Sequence, residues 1–313
     1  VIESRGLGDV YKRQIYSASQ SLEMAFRQGI YLVFGFSLLL LISFSNFRKM
    51  ELFYLYSYWP GLFFLILVLI IPSEGNETKR WIDFGLFTFQ PSELMRFLIP
   101  VSAAAFLSRK PMISNFDYLT VFILTMIATY LVLLQPDLGT SIIVFLSGIL
   151  PILLGGLSWT FISFGVFTVL LSLPVLWFSL FEYQKQRIIT LFNPEADIYG
   201  AGWNIAQSKI AIGSGGIFGK GYLNGSQSQL NFIPESHSDF IFSVISEEFG
   251  LVGVASLFII YGLLIYRLLL ISINHQNRFA KILSATLSMI LLAYISINIC
   301  CLLYTSDAAD DDV

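Results

Sequence analysis

The stretch NFIPESHSDFIFSVISEEFG, residues 231–250, opens as a polar loop and closes as an apolar helix. Its loop half carries Pro234, Glu235, His237 and Ser238, and its helical half keeps three carboxylates, Asp239, Glu247 and Glu248, among phenylalanine, isoleucine and valine. A carboxylate on a bilayer helix is costly and marks a face turned to protein or water. Asp239, Ser243 and Glu247 recur at every fourth position and so line one helical face. At a rise of about 1.5 Å per residue, Glu247 is expected about 12 Å below Asp239. That face is therefore expected to point into a protein interior or a wet cavity. Glu248 lies about 100° round the helix and is expected to fasten it to another helix.

The surrounding composition says that this helix meets lipid. Of 313 residues, 56% are hydrophobic and only 12% charged, with a mean hydropathy of +0.73, against roughly 25% charged in a soluble domain. The net charge of −3 is small, and nothing in the charge pattern argues for a nucleic-acid partner. The adjacent Cys300 and Cys301 have neither metal-ligand spacing nor the makings of a disulfide framework. Residues 1–14 and 302–313 break the composition abruptly and resemble translated sequencing-adapter read-through. The alternative is an ordinary lead-in and a disordered acidic tail. With both ends set apart, one membrane domain is expected over 15–301.

Apolar runs suited to crossing a bilayer, at about 20 residues per span, fall at 28–46, 52–71, 93–108, 117–134, 138–156, 159–180, 239–270 and 280–302. The expected fold is an all-α polytopic membrane protein with about eight transmembrane helices. Arg48 and Lys49, then Arg109 and Lys110, then Arg267, Arg278 and Lys281 lie at alternate turns, which assigns those turns to the cytoplasm. The connections 72–92 and 135–139 and the long loop 181–238 are then extracytoplasmic. The long loop also carries Lys185, Arg187, Lys209 and Lys220, but a loop of that length is less bound by the charge rule. It is too long for a mere connector. Trp203, Phe218, Tyr222 and Phe232, set among eight glycines from Gly200 to Gly225, suggest a partly ordered lid or platform at the membrane surface.

In this topology Glu93, Asp137 and Asp239 each open a helix at its extracytoplasmic end. Each also has a local explanation. An acid in a first turn complements the helix dipole by about 0.3–1 kcal/mol, Asp137 suits an N-cap, and Arg96, three residues beyond Glu93, suits a structural ion pair. His237 and Ser238 precede Asp239 as base, ligand or loop residues. With His275 the one other histidine, a histidine-based metal site does not suit the chain. A divalent cation, magnesium or manganese, on Asp239 or Asp137 stays open. Lys79 and Arg80 beside Trp81 suit lipid phosphates, although Trp81 equally suits an interface anchor. The run GSGGIFGKG, 213–221, is no phosphate loop, because Ser214 and Gly221 stand where that motif needs Gly and Ser or Thr. Its flexible backbone with Lys220 still suits a weak anion contact.

Four segments in order, RWIDFGLFTFQPSE (80–93), QPDLGTS (135–141), GWNIAQSKIAIGSGGIFGKG (202–221) and QSQLNFIPESHSDFIFSVISEEFG (227–250), resemble the SEDS family (shape, elongation, division and sporulation) of peptidoglycan glycosyltransferases. The resemblance covers about residues 15–299, and QSQLNFIPE is nearer the rod-elongation type, RodA, than the division type, FtsW. It implies ten helices, a site open to the outer leaflet of the bacterial cytoplasmic membrane, lipid II as substrate and a class B penicillin-binding protein as partner. It also implies that Asp239, in HSDF where the family has HTDF, is the essential acid, and that Trp81 is functional. Glu93 becomes the QPSE acid, with Arg96 where the family usually has Lys. IYSAS at 15–19 resembles the outer loop after the family's first helix, and the C-terminal pattern departs at INICCLLYTSD, so a fragment truncated at both ends is expected.

The chemistry so implied is attack by a sugar 4-hydroxyl on the anomeric carbon of a lipid-linked sugar, with undecaprenyl pyrophosphate leaving. A hydroxyl is a poor nucleophile and needs a base, here Asp239. The leaving pyrophosphate needs fixed positive charge, for which Arg80, Lys79, Lys209 and Lys220 are candidates. Glu247 and Glu248 are read as structural. Two other functions suit the same polar stripe: a lipid II flippase or transporter, and a non-catalytic scaffold for the penicillin-binding protein.

Overall fold

The computed structural model describes residues 22–44, 51–70, 80–83, 88–109, 113–135, 137–158, 201–226 and 241–303, with scattered positions between 160 and 189. The helices are α1 (Leu22–Phe44), α2 (Glu51–Tyr56), α3 (Tyr58–Ile70), α4 (Pro91–Ser108), α5 (Asn115–Leu133), α6 (Leu138–Leu154), α7 (Ala201–Ser214), α8 (Ile241–Asn274) and α9 (Arg278–Leu303). The described positions between 160 and 178 are helical as well. This is the expected all-α polytopic membrane protein. Phe53–Ile70, Asn115–Leu133, Ile241–Asn274 and Arg278–Ile299 are long and apolar enough to cross a bilayer, and Gly29–Phe44 and Leu138–Leu154 are shorter apolar helices. Two local elements differ from the reading of the sequence. The first outer loop holds an antiparallel hairpin, β1 (Ile82–Asp83) with β2 (Thr88–Phe89), pairing Ile82 with Phe89. The long loop holds α7, whose polar residues kept it from reading as a span.

The chain divides into two compact units. One comprises Asn46–Leu180 and Leu263–Ile295, with α4 packed on α2, α3, α5 and α6. Helices in lipid gain little from burying apolar area against one another and instead pack closely through small residues. Here α4 buries Ser102, Ala103, Ala104 and Ala105. On α6, Gly148 faces Thr125 of α5 so closely that a Cβ would overlap its side chain. Leu107, Tyr118, Val121, Ile152, Phe279 and Ile282 fill one core, and Leu65, Met95, Ile99, Val132 and Val144 another. Two tyrosine hydroxyls find backbone acceptors, Tyr58 donating to Leu124 O at 2.8 Å and Tyr118 to Gly155 O at 2.9 Å. The helix starts are legible: Ser114 and Asp117 form a capping box for α5, and Pro91 opens α4.

The other unit comprises Val1–Ser45, Phe181–Gly262 and Ser296–Val313. Its defining feature is a break in α8 at Gly250, with φ 63° and ψ −159°, a conformation open to glycine alone. Before the break, Phe242, Ser243, Val244, Ser246, Glu247 and Glu248 are buried; after it, Leu251, Val252, Ile259 and Ile260 are 62, 53, 62 and 61% exposed. The lipid-facing span is therefore 251–274. The apolar helix expected at 239–270 is thus present as Ile241–Asn274, but it is broken, and both glutamates lie on the short buried stretch before the break.

Candidate functional site

Two groups of the candidate residues can be built from their backbones upward. In the first unit, the α5–α6 turn and the start of α4 meet. Asp137 is the N-cap of α6, its Oδ1 accepting from Thr140 N at 3.1 Å and its Oδ2 from Thr140 Oγ1 at 2.9 Å. The same Oδ2 accepts from Gln90 Nε2 at 3.3 Å, tying the cap to the residue that precedes α4. Both carboxylate oxygens thus serve the helix start. Among the described residues no group of three or more His, Cys, Asp or Glu side chains could hold a metal ion.

Arg80 donates from Nε to Gln135 O at 3.0 Å, which anchors its guanidinium against the α5–α6 turn. Gln135 is fully buried and donates from Nε2 to Leu65 O at 3.4 Å. The neighbouring Trp81 is 56% exposed while Ile82 turns inward. The hairpin alternation thus presents Trp81 outward beside a fixed cation. Glu93, in the first turn of α4, pairs with Arg96 through both guanidinium arms. Arg96 reaches further, donating to Tyr294 Oη and lying 4.7 Å over the Tyr294 ring. Glu93 and Arg96 thus form the ion pair expected from their spacing. Tyr294, an aromatic on α9, carried no signal in the sequence that it was Arg96's partner.

In the second unit, Glu247 is fully buried and accepts from Lys220 Nζ at 2.8 Å and from Ser226 Oγ at 3.1 Å. Lys220 also donates to Ser226 Oγ at 2.9 Å. Its ammonium therefore balances a buried carboxylate. Glu248 Oε1 accepts from Leu223 N at 3.2 Å, so it holds a turn of the long loop. Ser243 is buried on the face it shares with Glu247, and its Oγ has no hydrogen-bond partner among the described residues. Lys209 is half-buried on α7. Lys79, His237, Ser238 and Asp239 lie outside the described residues.

The backbone completes this second group. Lys220 N and Gly221 N donate to Glu247 O and Glu248 O, both at 3.0 Å, while Leu251 N and Val252 N donate to Gly216 O at 2.9 Å and Ile217 O at 3.1 Å. The break at Gly250 leaves carbonyls behind it and amides ahead of it without helical partners, and the glycine-rich loop supplies both. Glycine is required for this approach: a Cβ on Gly219 would overlap Glu248 O, and one on Gly215 would overlap Ser246 O. A signal for the break was present in SEEFG, since glycine after the last helical residue is the commonest helix stop.

Comparison with known proteins identifies the family. The FtsW/RodA/SpoVE family model, described as cell cycle protein, matches residues 9–303. The peptidoglycan glycosyltransferase MrdB of Escherichia coli K12 is 44% identical over 254 residues, covering 78% of this chain and 68% of that one. A chain of a solved peptidoglycan synthase complex superposes with a TM-score of 0.78 at 28% identity, covering 92% of this chain and 82% of its own. The crystal structure of the Thermus thermophilus rod shape determining protein RodA gives a TM-score of 0.64 at 26% identity, over 91 and 78% of the two chains. With matched residues running through both units and both groups of polar side chains, the chain belongs to the FtsW/RodA/SpoVE family.

Proposed function

We propose that this protein is a peptidoglycan glycosyltransferase of the rod-elongation type, polymerising lipid II into β-1,4-linked glycan strands at the extracytoplasmic face of the bacterial cytoplasmic membrane. The observation that carries the reaction is the 44% identity to MrdB, which bears that enzyme's name. The partner is a class B penicillin-binding protein, a reading supported by the likeness to a chain of a peptidoglycan synthase complex.

Asp239 is assigned the role of general base. It removes the proton from the 4-hydroxyl of the incoming GlcNAc as that oxygen attacks the anomeric carbon of the lipid-linked MurNAc. The C–O bond to undecaprenyl pyrophosphate breaks as the new bond forms, and the single displacement inverts the centre from α to β. What supports Asp239 is its place in the HSDF motif, and the four other candidate acids are engaged elsewhere. Asp137 caps α6, Glu93 pairs with Arg96, Glu247 pairs with Lys220 and Glu248 holds Leu223. The charge on the departing pyrophosphate is assigned to Arg80, Lys79 and Lys209, and Lys220 is withdrawn from that set. A divalent cation, magnesium or manganese, held at Asp239 would add positive charge for the same leaving group.

The test is polymerisation of fluorescent lipid II in detergent by the chain with its penicillin-binding partner, for the wild type and Asp239→Asn. Polymer from the wild type and none from the variant, with partner binding intact, is the expected result. Polymer from the variant removes Asp239 from the base role. Transbilayer movement of lipid II in vesicles, with no polymer from the wild type, replaces the enzyme with a flippase.

A further inference from the structure

The loop that splices the two halves of α8 carries an apolar tip with no counterpart in the proposed reaction. Ile217 and Phe218 are 62 and 82% exposed, and Leu251 and Val252, at the start of the lipid-facing span, are 62 and 53% exposed. The two pairs are pinned side by side, because Leu251 N and Val252 N donate to Gly216 O and Ile217 O. Where a spanning helix begins, its first amides have no helical acceptor, and at the hydrocarbon edge they need protein acceptors. The loop carbonyls at Gly216 and Ile217 are those acceptors, so the tip lies at the depth of the first turn of the span. Side chains at that depth that face away from protein face lipid.

We propose that Ile217 and Phe218 insert into the outer leaflet, making the glycine-rich loop a membrane anchor for the short helix that carries Glu247 and Glu248. The occupant of this surface is the acyl-chain region of the bilayer. Three features favour lipid over a protein or a second copy of the chain. The patch is continuous with the lipid-facing Leu251 and Val252. It is two residues wide, too small for a stable protein interface. Polar backbone and Lys220 follow it at once on the side away from the tip, as at a membrane boundary. Positive φ at Gly216 and Gly219, 58° and 77°, turns the chain sharply on either side of Ile217 and Phe218 and pushes the pair outward.

The test places an environment-sensitive fluorophore at Phe218→Cys in a Cys300→Ser, Cys301→Ser background, with the protein alone in phosphatidylethanolamine and phosphatidylglycerol vesicles. Ile259→Cys, on the exposed face of the span, is the bilayer reference, and Gln276→Cys, in the exposed turn before α9, is the aqueous one. The expected result is a blue-shifted emission at position 218 and quenching several-fold above the Gln276 site by lipids with a nitroxide near the top of the acyl chain. Emission and quenching matching the Gln276 site overturn the proposal. A blue shift without lipid quenching also overturns it, since the side chain is then covered by protein. Neither result bears on lipid II polymerisation, so failure here leaves the proposed function standing.

Discussion

At the scale of single residues, the pairing of Lys220 with Glu247 is the interaction with the largest expected effect. Removing one partner of a buried ion pair leaves the other charge uncompensated, at about 3–5 kcal/mol; the 29% exposure of Lys220 places this pair at the lower end. Lys220→Met is therefore expected to lower the melting temperature in detergent more than Glu247→Gln, which keeps an acceptor for the lysine. The double substitution is expected to be less harmful than the sum of the singles, a coupling that a double-mutant cycle reads directly. Equal effects of the two single changes, adding without coupling, would remove the pair from the account. Arg96 offers a second test. Lys at this position keeps the charge that pairs with Glu93 but loses the planar stacking on Tyr294, so Arg96→Lys is expected to cost about 1 kcal/mol and Arg96→Met clearly more. The ion pair of Glu93 and Arg96 was legible from a spacing of three. The lysine pair was not, because its members are 27 positions apart in the chain.

At the scale of elements, α8 holds two glycines with opposite expectations. Gly250 has a backbone conformation reserved for glycine, and a Cβ there would overlap Gly219 N. Gly250→Ala is expected to cost about 1–3 kcal/mol in backbone strain and a similar amount in overlap. Gly262 has open space around its Cα and ordinary helical geometry, so Gly262→Ala is expected to be neutral or to stabilise by up to about 1 kcal/mol. Thermal unfolding of the two variants side by side measures both, and a stable Gly250→Ala protein would contradict the break. Within the first unit, Gly148→Ala is expected to push α6 off α5 at Thr125 and lower the melting temperature by an overpacking cost of about 1–3 kcal/mol.

At the scale of the whole molecule, the topology read from Arg and Lys at alternate turns assigns Gln276 to the cytoplasm and the loop around Asn224 to the outside. Both are exposed positions. In a background lacking Cys300 and Cys301, Asn224→Cys is expected to react with a membrane-impermeant maleimide in intact cells, and Gln276→Cys only after permeabilisation. The reverse pattern would invert the protein and move the proposed chemistry to the wrong side. The apolar runs at 52–71, 117–134, 239–270 and 280–302 determined their spans by themselves, because a bilayer demands about 20 apolar residues whatever lies beside them. The ordered motifs determined the family, and local spacing determined the cap at Asp137 and the pair at Glu93. Only the tertiary structure decided that the helix opening with Ile241 breaks at Gly250, that the glycine-rich loop supplies both sets of missing backbone partners, and that Glu247 is buried against Lys220. Hydropathy is blind to such a break, since the segments on either side are both apolar. What fixes it is where a distant loop folds back to satisfy the backbone, and that depends on the whole chain.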